Sequence, residues 1–249
     1  MFSLCIATMD RYDNFLNKYL LDYLENELIY EIVITDENGN DVDKINKNLK
    51  DNKDFNKLVL VKNDKRLGPF YNKHKACKLA KNEWIVLMDS DNFADKKYFE
   101  IAKDYILKNI NNQKNIILAP SKAKPNFDYT NMSGLIYKKG NFIYNKIIEM
   151  NNKKHNNSNI DTLMNTGNYV INKYLIDNLD LSNEDTIGNS PSDVIYFNTL
   201  LFEQLDLNLH VVNNMEYSHV VHEGSIYTQT HSNYRNLERL IHNRFHNLN

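Results

Sequence analysis

Two carboxylates one residue apart, Asp89 and Asp91, are the groups in this chain best placed to do chemistry. They close the run Trp84-Ile85-Val86-Leu87-Met88-Asp89-Ser90-Asp91-Asn92. The apolar residues that open this run have no helical period and predict a short strand buried on both faces, as in a parallel sheet. In an open α/β sheet, ligands collect beyond the carboxyl ends of the strands, so both carboxylates are expected at the mouth of a crevice. Two hard oxygen donors this close suit Mg²⁺ or Mn²⁺, and such an ion would in turn hold the phosphates of a nucleotide. A second Asp-x-Asp, Asp41-Val42-Asp43, follows no predicted strand and reads as a solvated helix start.

The elements needed to position that pair alternate along the first half of the chain. Strands are predicted over residues 2–7, 30–35 and 58–61, ahead of the 84–88 strand. Between them lie a helix with Phe15, Tyr19, Tyr23 and Leu24 on one face, a polar helix over 42–49, and a helix over 70–81. Strand and helix in strict alternation are the signature of right-handed βαβ units and a parallel sheet. A further helix carries Tyr98, Ala102, Tyr105 and Ile106, and a short strand follows over 115–119. The second half is less regular. Residues 120–134 read as a long polar loop, 141–150 as a helix, and 151–157 as a mobile polar run. Residues 163–171 read as a strand broken by Gly167. Ser190-Pro191-Ser192-Asp193 opens a helix to about Leu205, a last strand spans 209–212, and Leu237, Leu240, Ile241, Phe245 and Leu248 mark a C-terminal amphipathic helix. One α/β domain over 1–249 is expected, with residues 1–120 as its nucleotide-binding half and 121–249 as its acceptor and catalytic half.

Composition narrows the class. Thirty Lys and Arg against 32 Asp and Glu give a formal charge of −2, which argues against a nucleic-acid binder. No apolar run approaches the ~20 residues that span a bilayer, and no basic-then-apolar leader opens the sequence. Cys5 and Cys77 sit among apolar neighbours and read as reduced core thiols, so a cytoplasmic location is expected. The sequons at Asn131 and Asn156 then arise by chance. Peripheral membrane contact through the last helix stays open.

Taken in order, these pieces resemble a GT-A glycosyltransferase, most like family 2. The turn Thr8-Met9-Asp10-Arg11 is similar to the family's Pro-Thr-Tyr-Asn-Arg, and Asp36 to an Asp of its nucleotide pocket. Arg66-Leu67-Gly68-Pro69-Phe70-Tyr71-Asn72-Lys73 resembles Asn-x-Gly-x-x-x-Ala-Arg-Asn, and Asp89-Ser90-Asp91 fits the metal-binding Asp-x-Asp. Asn165-Thr166-Gly167-Asn168 resembles the segment near the donor sugar, and Tyr217-Ser218-His219-Val220-Val221-His222 the region of a third metal ligand. The resemblance implies a GT-A, Rossmann-like, mostly parallel sheet flanked by helices. It also implies transfer from a UDP- or GDP-linked sugar to a carbohydrate or glycan acceptor, with inversion and with Mn²⁺ or Mg²⁺ as cofactor. Thr8, Asp10, Arg11, Asp36, Arg66, Asp89 and Ser90 would contact the donor. Asp89, Asp91 and His219 or His222 would serve the metal, and Asp193 would be the catalytic base.

Each residue has a plainer alternative. Asp36 could be an Asx-turn residue. With Ser190 at the N-cap and Pro191 at N1, Asp193 would sit at N3 and simply favour the helix dipole. The family's acid pair is absent at Asp193, which Ser192 precedes, but Glu184-Asp185 is such a pair and could hold the base instead. In a strand His219 and His222 point to opposite faces, so one of them at most meets a metal. Arg235, Arg239 and Arg244 form a solvated face from which one could reach a diphosphate. Trp84, Tyr137 and Tyr144 could offer a sugar a stacking surface. Two other classes compete: a sugar-nucleotide pyrophosphorylase, which would need a Gly-rich loop where Thr8-Met9-Asp10-Arg11 stands, and a silent nucleotide- or sugar-binding module.

Overall fold

A computed structural model describes residues 1–111, 113–152, 158–166, 168–182, 184, 190–225 and 235–248. Gly167, Asp185, the Asn156 sequon and most of the 151–157 run lie outside the described residues. The described strands are β1 (Phe2–Thr8), β2 (Ile29–Asp36), β3 (Leu58–Lys62), β4 (Trp84–Asp89), β5 (Ile116–Lys124), β6 (Phe127–Asp128), β7 (Ile136–Tyr137), β8 (Val170–Asn172) and β9 (Asn208–Ser218). They form one sheet in the order β3-β2-β1-β4-β8-β5-β9-β7, with β6 paired to β5. The N-terminal four run parallel, β1 pairing with β2 on one side and β4 on the other. β5 and β9 are parallel to each other, while β8 joins β4 to β5 through short antiparallel ladders. This is the α/β sheet expected, and it brings the ends of β1, β2 and β4 to one edge. Leu4 and Ile6 of β1 and Val86 and Met88 of β4 are at most 1% exposed. Burying an aliphatic side chain that fully contributes roughly 1.5–3 kcal/mol.

The flanking helices are α1 (Asn17–Glu25), α2 (Asn40–Leu49), α3 (Pro69–Leu79), α4 (Lys96–Asn109), α5 (Phe142–Asn151), α6 (Ile160–Thr166), α7 (Lys173–Asn178), α8 (Asp193–Gln204) and α9 (Arg235–His246). A π-helical turn over Tyr12–Leu16, with Leu16 N–H donating to Arg11 carbonyl, precedes α1. That wider turn resets the helix phase. Leu16, Leu20, Tyr23 and Leu24 are therefore buried, while Phe15 and Tyr19 of the expected face are only half-buried. Gly68, at φ 80° and ψ 163°, occupies backbone space closed to other residues, and Pro69 then starts α3 with its φ already set.

Three expectations for the second half fail. Residues 163–166 are helical, because Ile160, Leu163 and Met164 at i, i+3 and i+4 bury one face of α6. Residues 120–124 are not loop: β5 runs through Pro120, and its register with β9 shifts between Pro120 and Lys122, where the missing N–H weakens the ladder. β9 likewise runs to Ser218, well past the predicted strand. Among the described residues no helix is long and apolar enough to cross a membrane.

Candidate active site

A cleft of about 550 Å³ opens beyond the ends of β1, β2 and β4. That volume lies within the range of small-molecule sites. Four segments deliver its charged groups. The β4 tip supplies Asp89 and Asp91, the second turn of α3 supplies Lys73, and the first residue of α8 supplies Asp193. The segment after β9 supplies His219 to the lining, and His222, which is not a lining residue, pairs with Asp91. That segment is pinned to the β4 tip by the Phe93–Ser218 bridge and by Val220 N–H donating to Asn92 Oδ1 at 2.9 Å.

The two members of the Asp-x-Asp face different partners. Lys73 Nζ lies 2.7 Å from Asp89 Oδ1 and 2.6 Å from Asp193 Oδ2, so one ammonium bridges the strand tip to α8. Asp89 Oδ2 accepts longer bonds from Asn92 and Asn168 side-chain amides, and Asp89 N–H donates to Asn168 Oδ1 at 2.6 Å. Asp91 instead lies 3.0 Å from Nε2 of His222. Burial raises the Asp91 carboxyl, the Asp89 charge adds to the rise, and His222 and Arg11 offset part of it. Burial also raises Asp193, with Lys73 pulling the other way. For Lys73 burial favours the neutral amine, but the charges of Asp193 and Asp89 outweigh it and hold the ammonium above the ordinary lysine value.

Asp193 does not cap its helix. Ser192 is at the N-cap, no side chain caps that end, and the Asp193 carboxylate goes to Lys73. Glu184 accepts from Tyr196 hydroxyl and binds both terminal nitrogens of Arg244 at 2.9 Å, away from the cleft. Arg244 is thereby committed to Glu184 and Glu203, and does not reach the site.

On the β1–β2 side, Thr8, Arg11, Arg66 and Ser90 line the cleft, but Asp10 and Asp36 do not. Asp36 is fully buried and accepts backbone N–H bonds from Asn38, Asp41 and Val42, the Asx-turn alternative. Asp10, at φ 55°, accepts from Asn38 and Asn40 amides at the exposed rim. Asp41 is no solvated helix start. It is fully buried and takes the Thr8 hydroxyl and the N–H groups of Arg11 and Tyr12, which fixes the turn after β1. Glu37, which carries no motif in the sequence, also lines the cleft. Its Oε2 accepts from Leu67 N–H at 2.7 Å, whereas its buried Oε1 has no hydrogen-bond partner among the described residues.

On the opposite side, His219 lines the cleft, with its ring and carbonyl bonded to Asn126. Thr166 and Asn165 of α6 line it too, while Asn168 braces Asp89 from beneath. Trp84 and Tyr137 are core residues and Tyr144 is exposed on α5, so none of the three lines the cleft; Phe127 does.

A mostly parallel α/β sheet with an Asp-x-Asp at the tip of its fourth strand and a charged cleft beyond it matches the GT-A glycosyltransferase fold. The model of glycosyl transferase family 2 matches residues 3–168. The chain belongs to that family. Among solved structures it is similar to S. aureus TarS 1-349 in complex with UDP-GlcNAc, at TM-score 0.67 and 14% identity, over 98% of this chain and 66% of that one. It is also similar to the UDP complex of TarS 1-349, at TM-score 0.63 and 14% identity, over 98% and 64%. A longer S. aureus TarS chain matches at TM-score 0.64 and 14% identity, over 96% of this chain and 38% of that one. The likeness at that identity is one of fold, and the chain spans about two-thirds or less of each. No curated protein matches.

Proposed function

We propose that this chain transfers a sugar from a nucleoside-diphosphate sugar to a hydroxyl of a carbohydrate acceptor, with inversion and with Asp193 as the base. The carrying observation is that Asp91, Lys73, Asp89 and Asp193 converge on one cleft from three separate elements. The donor is UDP-linked in this reading. Glu37 lines the β2 side of the cleft, and its carboxylate is an acceptor of the kind the ring N–H of uracil needs. The neighbouring TarS structures hold UDP and UDP-GlcNAc.

A divalent cation, Mn²⁺ or Mg²⁺, belongs to the proposal. Among the described residues no group of three or more His, Cys, Asp or Glu is placed to hold a metal. The site fits one nonetheless, because such ions are held by one or two protein ligands while waters and substrate phosphates complete the shell. Asp91 Oδ2 and His222 Nε2 are the donors that suit it, and Asp89 is occupied with Lys73. When bound, the cation supplies positive charge to the departing diphosphate. Asp193 takes the acceptor hydroxyl proton as that oxygen bonds to the anomeric carbon and the bond to the diphosphate breaks. Burial lifts the Asp193 carboxyl toward neutral pH, where a base is more effective. The test is hydrolysis of UDP-linked sugars with Mn²⁺ and without acceptor. Slow UDP release is expected, and no turnover of any UDP- or GDP-linked sugar would overturn the reading.

A further inference from the structure

We infer that Lys73 is a positioning residue for the transfer step, whose ammonium holds the Asp193 carboxylate in the cleft and ties it to Asp89 at the strand tip. The inference rests on the reading of Asp193 as the base. Three observations carry it. Lys73 Nζ is within 2.7 Å of both carboxylates at once, in a side chain only 16% exposed. Asp193, 10% exposed, has Lys73 as the one side-chain hydrogen-bond partner described for it. Asp89 is also held through its backbone N–H by Asn168, so the strand tip is an anchor to which the base can be tied. Lysine and acid approach from α3 and α8, elements far apart in the chain, so nothing local would set this distance. A reactive group displaced by about 1 Å can lose about 10²-fold in rate.

Other charged groups line the same cleft or contact its lining. Asp91 and His222 pair with each other, Arg11 donates to the Gly224 carbonyl, and Glu37 and Arg66 lie on the β2 side. None of these is a hydrogen-bond partner described for Asp193, and the ammonium bridge is the element specific to the base.

The test is steady-state kinetics of Lys73→Ala and Lys73→Arg beside Asp193→Asn, with folding checked by thermal melting. Lys73→Ala is expected to lose about 10²-fold in kcat while donor KM changes less than about threefold. Lys73→Arg, whose fork can still reach two carboxylates, should keep more activity than Lys73→Ala. Because Lys73 lines an open cleft, ethylammonium should restore Lys73→Ala saturably, whereas tetramethylammonium, which carries charge but no N–H, should not. A loss confined to donor KM would make Lys73 a phosphate ligand and overturn the inference. So would wild-type kcat in Lys73→Ala, or equal rescue by both cations. If Asp193→Asn itself turns over normally, the base reading fails, which the kinetics of the Lys73 variants alone would not show.

Discussion

Two acidic pairs stand on either side of β1, and they are used in opposite ways. Asp36 and Asp41, at the end of β2 and the start of α2, are fully buried, and backbone N–H groups take up most of their oxygens. Asp89 and Asp91, at the end of β4, keep 28% and 21% of their side chains exposed and meet the side chains of Lys73 and His222. A carboxylate saturated by main-chain donors shapes a turn, and its partners cannot leave without unfolding that turn. One held by side chains can exchange them for a ligand. Position at a strand end is common to both pairs, so the kind of partner separates structure from chemistry.

Exchanging members of the two pairs should expose this difference, most strongly in activity. Asp91→Asn should abolish transfer, by about 10³-fold or more, with the melting temperature close to wild type; steady-state assays with Mn²⁺ check it. Asp193→Asn should cost about 10²–10⁴-fold in kcat with donor affinity kept, as for loss of a general base. In the wild type, kcat should fall on acidification through a pKa above the ordinary aspartate value of about 3.9, because burial raises Asp193 and only its ionised form accepts a proton. A pH–rate profile reads that limb. Asp41→Ala should act chiefly on stability, destabilising the fold by about 3 kcal/mol, since it strands the Thr8 hydroxyl and two backbone donors. Urea denaturation measures it. Smallest of all, Glu37→Ala should weaken UDP binding about tenfold with kcat retained, the loss of a single hydrogen bond to a charged group.

Much of the β4 side was legible in the sequence. Strict alternation of strand and helix over the first half gave the parallel sheet, and the apolar run 84–88 placed Asp89 and Asp91 at its tip. Asp41 was misread because a carboxylate at i and another at i+2 look alike whether solvated or buried; only the fold brings the 8–12 turn over it. Lys73 carried no signal as a charged partner, because Asp193 lies 120 residues away in sequence and nothing local to α3 announces the bridge. Glu37 was hidden behind Asp36, its neighbour of like charge and opposite fate. The second half was harder for two reasons. Pro120 and Pro125 look like loop punctuation although β5 continues through Pro120, and α6 is so short that its i, i+3, i+4 pattern merged with the apolar run of β8.

In the proposed function Asp91 anchors a cation through which the donor diphosphate is held. That role is tested most directly by the thermal shift given by a UDP-linked sugar, measured with and without Mn²⁺ in the wild type and in Asp91→Asn. A ligand bound by the native state alone raises the melting temperature. The account predicts a rise in the wild type that requires Mn²⁺ and that disappears in Asp91→Asn. An equal rise without metal, or in the variant, would contradict it.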